Sequence, residues 1–377
     1  MTSPAVRPLP GPAAEPFQCR HCRGTTGEVV LDLGEQPGCE QFAEPGDPGP
    51  DPVFGLRMWW CAGCGLAQLA EDPGLPETVR GVEPEAMRNQ AAKVLSRLSA
   101  EGWMRAGQTA VEFGSPHGSA WLPKVLARGL MRASERADLV LDVYGLLHEP
   151  DQEEALRRRA EQLAPGGLLM LQLFSLGSVL KHGQWDELRH GHYAYWSLPA
   201  LDQALRRHGL GIHRAWSYPL AGGTAVVLAT HDPQPDKETE AACAEEVAAG
   251  VTDRDALRAL QDRADADAAA LRRWLEDRPR RVIGYGAASR SVPLLCHAGV
   301  DVELLPAVAD ASPDKQGRRI PGTRIPVIPP SYLAAGQPAD MVLLLPQLLD
   351  EVRRTWPEIE AHGGRWISVN DVLAGRT

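Results

Sequence analysis

A chain of 377 residues with ordinary apolar content has room for two or three domains, and its net charge of -10 argues against a nucleic-acid surface. A few local Arg and Lys residues still suffice to hold an anionic nucleotide. No apolar run reaches membrane-spanning length and the first residues lack the apolar core of a signal peptide, so a cytoplasmic protein without a membrane partner is expected.

Residues 1–16 are rich in Pro and Ala and read as a flexible N-terminus. Residues 17–75 form a small module around Cys19-x-x-Cys22 and Cys61-x-x-Cys64, two pairs separated by 38 residues. Each pair can place two thiolates on one ion through a tight turn, and two pairs close a tetrahedron around structural zinc. Such a site leaves no open position for water and carries no catalytic role. Cys39, Cys243 and Cys296 are isolated and read as packing residues.

Residues 76–235 read as an α/β domain. Thr109–Gly118 is a buried strand, an acidic residue and a glycine turn, the opening of a doubly wound nucleotide-binding fold, with Glu112, Gly114 and Gly118 as candidate cofactor residues. The next strand-like run, Ala137 to Gly145, follows after room for only one helix. Strands are also expected at Gly167–Leu173 and Thr224–Thr230, and a helix at Leu198–His208. Residues 236–278 are dense in Ala, Asp, Glu, Arg and Leu at helical spacing and read as a charged helical connector. Residues 279–377 open with Arg281 to Ala288, a strand entering a glycine turn, and continue as a second parallel-sheet domain. The fold class is therefore α/β: a small zinc-binding module plus two doubly wound, Rossmann-like domains, the middle one truncated.

This order of features, together with Leu31-Asp-Leu-Gly34, Cys61-Ala-Gly-Cys-Gly-Leu-Ala-Gln68, Trp185-Asp-Glu-Leu-Arg-His-Gly-His192 and Asp310-Ala-Ser-Pro-Asp-Lys-Gln-Gly317, resembles the deoxysugar C-methyltransferases of antibiotic biosynthesis. The resemblance runs from about Phe17 to Val372. It implies a thymidine diphosphate (TDP)-linked 4-keto-6-deoxysugar as substrate and S-adenosylmethionine (SAM) as methyl donor. It makes Ala137–Gly145 the fourth strand of the methyltransferase sheet, so the strand that normally carries the ribose-binding carboxylate is expected to be missing.

The resemblance also implies site residues. His192 aligns with the family's proton-abstracting histidine, with His190 to relay or orient and Arg189 to stabilise an enolate or bind phosphate. The family's Tyr-His-Glu-His motif is Arg189-His-Gly-His192 here, so a tyrosine and a glutamate are absent. Gly222 and Gly223 stand where the family approaches the sugar closely, and Tyr285, Lys315 and Arg318 are expected near the diphosphate. Because the cofactor half is shortened, SAM binding is expected to be weak or absent. Methyl transfer comes first on family grounds. A SAM-independent isomerase, epimerase or ring-form mutase, or a non-catalytic nucleotide-sugar-binding partner, are the alternatives. The oligomeric state is left open, a monomer included.

Overall fold

The computed structural model describes residues 17–76, 78, 81–116, 118, 120–219, 223–278, 281–334 and 339–377. The N-terminal segment 1–16 lies outside the described residues.

Strands β1 (Gly27–Pro37), β2 (Val53–Cys61) and β3 (Ala67–Leu69) form an antiparallel meander. The register of β1 on β2 slips between Asp32 and Glu35, where Gly34 takes a φ of 70° that disfavours side chains with a Cβ. Helix α1 (Glu85–Ala100) follows, with Ala91, Val94, Leu95 and Leu98 buried at helical spacing.

The middle sheet is built from β4 (Thr109–Phe113), β5 (Met131–Arg132), β6 (Ala137–Val143), β7 (Leu163–Phe174), β9 (Gly211–Tyr218) and β10 (Thr224–Thr230), in the order β5-β4-β6-β7-β10-β9. Helix α2 (Leu122–Leu126) links β4 to β5, α3 (Gln152–Glu161) links β6 to β7, and α4 (Leu176–His182), β8 (Ala194–Tyr195) and α5 (Leu198–Arg206) lie between β7 and β9. Strands β4 to β7 run parallel, and β10 is antiparallel to both neighbours. Alternation in β6 places Leu139, Leu141 and Val143 against α1 and α2, and Val140 against the α3 and α5 side.

The expected truncation is visible here, with one refinement. The second strand is not deleted outright but reduced to Met131–Arg132, which pairs with Thr109 and Ala110 at the lower end of β4. The chain then turns under β4 to its other side and begins β6, whose Leu139 pairs with Ala110. Ala137–Val143 thus takes the place of a fourth strand beside the first. The stub stops level with Ala110 and never reaches the carboxyl edge of the sheet.

The expected connector is two helices with different attachments. Helix α6 (Lys237–Ala248) packs on the middle sheet, where Glu246 accepts hydrogen bonds from Ser175 and from Leu198 N (2.6 Å). Helix α7 (Arg254–Glu276) packs on β1, and its Leu257, Leu260, Ala264, Ala268 and Leu271 share one core with Leu31, Leu56 and Met58. The boundary at residue 76 is likewise crossed, since β8 adds a fourth strand to the N-terminal sheet by pairing with β3.

The last unit comprises β11 (Val282–Tyr285), α8 (Ser291–His297), β12 (Val308–Ala309), β13 (Val327–Ile328), α9 (Ser331–Ala334), β14 (Asp340–Leu343), α10 (Leu349–Thr355), α11 (Pro357–Ala361), β15 (Arg365–Ser368) and α12 (Val369–Leu373). Its sheet is all parallel in the order β13-β12-β11-β14-β15, a doubly wound arrangement. Among the described residues no helix is long and apolar enough to cross a membrane.

Candidate active site and zinc centre

Cys19, Cys22, Cys61 and Cys64 bring their ligand atoms within 4.8 Å of one another, with Cys19–Cys64 and Cys22–Cys61 sulfur pairs at 3.5 Å. Four thiolates about 2.3 Å from a zinc ion stand roughly 3.8 Å apart, so the donor set fits zinc. Gly65, at φ 76°, lets the second knuckle close after Cys64. The first knuckle docks on the middle domain. Arg20 donates to Leu69 O and Pro150 O and lies over the Tyr193 ring, and buried His21 meets Glu153 at 2.9 Å. Burial pushes the His21 imidazole down to about 4.

A cavity of about 190 Å³ opens at the carboxyl edge of the middle sheet, just past the ends of the paired strands β4 and β6 and beside the glycine loop. That is where doubly wound sheets place ligands. Its lining includes Met87, Ser115, Gly118, Tyr144, His148 and Phe174 from the middle domain, Arg189 and His192 from the Trp185–His192 motif, and Ser289 and Gln347 from the last domain. Arg189 and His192 are therefore brought together as expected. Arg189 lies 3.3 Å from His192 Nδ1 and is held in place by Glu187 Oε2 at 2.8 Å and by the Ser289 hydroxyl. The pair Arg189–Glu187 is almost wholly buried.

His190 is not part of this group. Its ring points the other way, meeting Gly55 O at 3.2 Å and the edge of Phe54, and burial lowers its pKa. His190 and Gly191 sit in a turn closed by His192 N donating to Arg189 O at 3.2 Å, so Arg189 and His192 come to one side while His190 packs into the zinc module and cannot relay protons to His192.

Two residues that sequence reasoning passed over line the cavity. His148 stands edge-on to His192 with ring centroids 4.8 Å apart, and its Nδ1 lies 3.1 Å from Gly191 O. Tyr144 adopts a φ of 60°, rare for an aromatic residue and a mark of local strain at a site. Its ring stacks on Phe174 at 4.6 Å, its hydroxyl meets Thr224 Oγ1 at 2.9 Å, and burial raises its pKa to about 12. The signal in the sequence was their position just after strand β6, at the sheet's carboxyl edge.

The glycine loop is retained, with Gly118 at φ 74°, but Glu112 is committed internally: its two carboxylate oxygens accept from Trp121 N and Leu122 N, each at 2.8 Å. It fixes the loop over α2. Asp142 is also taken, buried in an ion pair with Arg159 and accepting from Gly145 N at 2.7 Å. His117 of the loop lies outside the described residues.

The expected diphosphate residues serve structure instead. Tyr285 is a core residue whose hydroxyl accepts from Trp356 Nε1 at 3.3 Å. Lys315 is buried, donating to Ala287 O at 2.7 Å above the Phe42 ring. Arg318 donates to Phe42 O and pairs with Glu44 at 2.7 Å, and Arg319 pairs with Asp51. These three fasten the last domain to the loop between β1 and β2. At the Gly284–Gly286 turn, Asp310 Oδ2 accepts from Ala287 N at 2.7 Å, placing a carboxylate where a phosphate would sit. Gly223, at φ 148°, is equally internal: a Cβ there would meet Ser178 Oγ at 2.5 Å, so its close approach is to α4. Gly222 lies outside the described residues.

A larger cleft of about 640 Å³ separates the middle and last domains and shares Gln347 with the cavity. Lys181, His182, Arg263, Arg290 and Arg376 line it, against Asp186 and Asp267. Arg290 is tied to Asp186 at 2.9 Å and to Glu187 at 3.0 Å.

Three family models match in turn: a zinc binding domain over residues 19–73, a methyltransferase domain over 60–215 and a C-methyltransferase C-terminal domain over 219–369. The C-methyltransferase NovU of Streptomyces niveus is 32% identical over 241 residues, covering 60% of this chain and 56% of that protein. The chain belongs to this C-methyltransferase family. It spans little more than half the length of the curated relative it matches. Among solved structures, magnesium protoporphyrin IX methyltransferase from Synechocystis PCC 6803 with bound S-adenosylhomocysteine (SAH) is 16% identical, covering 38% of this chain and 83% of that one with a TM-score of 0.28. An O-methyltransferase family protein from Burkholderia thailandensis is 14% identical, covering 40% and 58%, with a TM-score of 0.30.

Membership bears on two expectations. The methyltransferase match spans the shortened region, which favours SAM as cofactor over its expected weakness or absence. The isomerase alternative finds no support among the relatives.

Proposed function

We propose that this chain transfers a methyl group from SAM to the carbon beside the ketone of a TDP-linked 4-keto-6-deoxysugar. The observation that carries the reading is the cavity in which an arginine and two histidines converge beside a methyltransferase glycine loop. Its volume suits a sugar ring. The sugar lies against Arg189, His148 and His192, and the nucleoside diphosphate extends past Gln347 into the basic cleft toward Lys181 and Arg376.

The residues present fit part of the cofactor. The backbone of Gly114, Ser115 and Gly118 would hold its amino-acid end, and the Tyr144–Phe174 stack offers ring faces to a sulfonium. Among the described residues no acidic side chain stands at the carboxyl edge of the second strand for the ribose, because β5 ends two residues up. When bound, SAM supplies an electrophilic methyl group. The chain supplies the groups that turn the sugar carbon beside the ketone into a nucleophile. An imidazole of the His148–His192 pair removes the proton beside the ketone, and the Arg189 guanidinium, pre-positioned by Glu187 and Ser289, stabilises the negative charge that develops on the ketone oxygen. The apolar wall of Met87, Leu147, Phe174 and Leu348 excludes water from that charge.

The test is incubation with methyl-labelled SAM and a TDP-4-keto-6-deoxysugar. Label on a ring carbon of the sugar is expected, and label on oxygen, or none with both ligands bound, would refute the reading.

A further inference from the structure

We propose that Gln347 selects the sugar by reading the hydroxyl next to the anomeric carbon, so that the substrate is a TDP-linked 4-keto-6-deoxysugar that keeps its C2 hydroxyl. The inference rests on the preceding reading of the cavity and the cleft, and it narrows the substrate class within it.

Gln347 stands where the ligand-binding edges of two sheets meet. In the last sheet β12 lies on one side of β11 and β14 on the other, so the strand order reverses between β11 and β14. Doubly wound sheets take ligands in the crevice outside the carboxyl ends of such a pair. Ser289 and Arg290 follow β11 there, and Gln347 follows β14 in the short helical turn Pro346–Leu348 that leads into α10. Leu348 N closes that turn on Leu345 O at 2.9 Å. Among the described residues Gln347 alone lines both the inner cavity and the cleft. A ligand with one part in each must pass it.

The shape of the substrate decides which of its atoms do so. In a pyranose with its ketone at C4, the anomeric carbon C1 lies across the ring. With the ketone oxygen at Arg189, C1 and its phosphate point out of the cavity toward the cleft. The ring atoms that come to Gln347 are therefore C1 and its two neighbours, C2 and the ring oxygen.

Hydrogen-bond chemistry selects among them. An amide offers two N–H donors and an acceptor oxygen. The ring oxygen and the phosphate oxygens only accept, and Lys181 and Arg376 already supply cations for the phosphates. A C2 hydroxyl also carries a hydrogen that needs an acceptor. The carboxylates of the cleft are committed, Asp186 to Arg290 and Asp267 to Arg263 and the Trp185 indole. Leu344, Pro346 and Leu348, around the same turn, bring only apolar side chains. The Gln347 amide is different: its side chain is half-buried, it bonds to no described residue, and neither of its polar atoms is sealed from solvent. Its Oε1 can accept the C2 O–H while Nε2 donates to the anomeric oxygen. Because the amide keeps its access to water, a missing hydroxyl loses only the net worth of one hydrogen bond. That is about threefold to tenfold in affinity, far less than a sealed pocket would impose.

Calorimetry without SAM tests this independently of turnover, using TDP, TDP-4-keto-6-deoxyglucose and the 2-deoxy counterpart of that sugar. The wild type should bind the 2-hydroxy sugar about threefold to tenfold more tightly than the 2-deoxy sugar. In Gln347→Leu, and in Gln347→Ala, which leaves the mouth of the cavity open, the ratio should fall to about one through weaker binding of the 2-hydroxy sugar alone, with TDP affinity unchanged. Equal binding of the two sugars by the wild type, a preference for the 2-deoxy sugar, or discrimination that survives in both variants overturns the assignment alone. Loss of TDP affinity in the variants also overturns it, by making Gln347 a phosphate contact. If neither sugar binds the wild type at millimolar concentration, the reading beneath the assignment falls with it.

Discussion

Arg189 lies 3.3 Å from Nδ1 of His192, and both side chains face one small cavity. The guanidinium reaches that place because Glu187 grips it from the middle domain and Ser289 from the last domain. The anion-stabilising charge of the site is thereby assembled across a domain boundary, and it is present before any ligand arrives.

It follows that Arg189→Met should lower kcat for methyl transfer by about 10²- to 10³-fold while changing nucleotide-sugar affinity only a few-fold, the pattern of a group that acts on developing charge. Steady-state kinetics together with calorimetry check this. A large affinity loss with kcat preserved would make Arg189 a ground-state binding residue instead.

The zinc centre should behave as part of the fold. Cys61 terminates β2, and the Cys19–Cys22 knuckle carries Arg20 and His21 onto the middle domain. We expect one zinc per chain by elemental analysis. Its removal by a chelator should lower the melting temperature by on the order of 10 °C. Cys61→Ser should reduce soluble yield. A chain that keeps its melting temperature without zinc would contradict this.

Glu246 gives a pH signature. Its carboxyl is buried between the starts of α4 and α5, and burial raises its pKa from 4.5 to about 7. A carboxyl raised on folding contributes stability that is complete below pH 4.5 and is lost as the pH rises through 7. The size is about 3 kcal/mol on the scale of one kcal-scale step per pKa unit. Buried His21, depressed to about 4, works oppositely, adding stability as the pH climbs from 4 through 6.5. The comparison must therefore be between wild type and Glu246→Gln: wild type should lose stability relative to the variant between pH 4.5 and 7. Parallel pH profiles in thermal unfolding would contradict it.

The basic residues that fasten the last domain and those that line the cleft should separate into two classes. Asp51 accepts from Arg319 and from Gly322 N at 2.7 Å, so Asp51→Ala should cost about 3 kcal/mol by leaving a guanidinium without its partner, with TDP affinity unchanged. Lys181→Ala, in the cleft, should weaken TDP binding by about tenfold with little change in stability, because its pair with Glu245 is exposed on both sides. Calorimetry and thermal unfolding on both variants check the division. Weakened TDP binding in Asp51→Ala would return the clamp to the ligand site.

Much of this was legible in the sequence because it is local. Cysteine spacing, strand periodicity and the turn after Phe113 are read from neighbours along the chain, and the assignment of Ala137–Val143 as a fourth strand survives in its place beside β4. The site was legible only where a motif put two residues on one side, as with Arg189 and His192. What was lost depends on distant partners. Lys315 and Arg318 look like phosphate ligands until Phe42 and Glu44, far away in sequence, are found against them. Glu112 looks free for a cofactor until two backbone amides of the α2 start close on it. Tyr144 was hidden because its left-handed backbone is set by the sheet edge and not by residue type.

The most direct test of the account is a single experiment: a TDP-4-keto-6-deoxysugar incubated in heavy water with this enzyme, with and without SAM, and followed by mass spectrometry. The account predicts deuterium beside the ketone without SAM, and a methyl group on that same carbon when SAM is present. Deuterium exchange without any methyl incorporation at saturating SAM would contradict it.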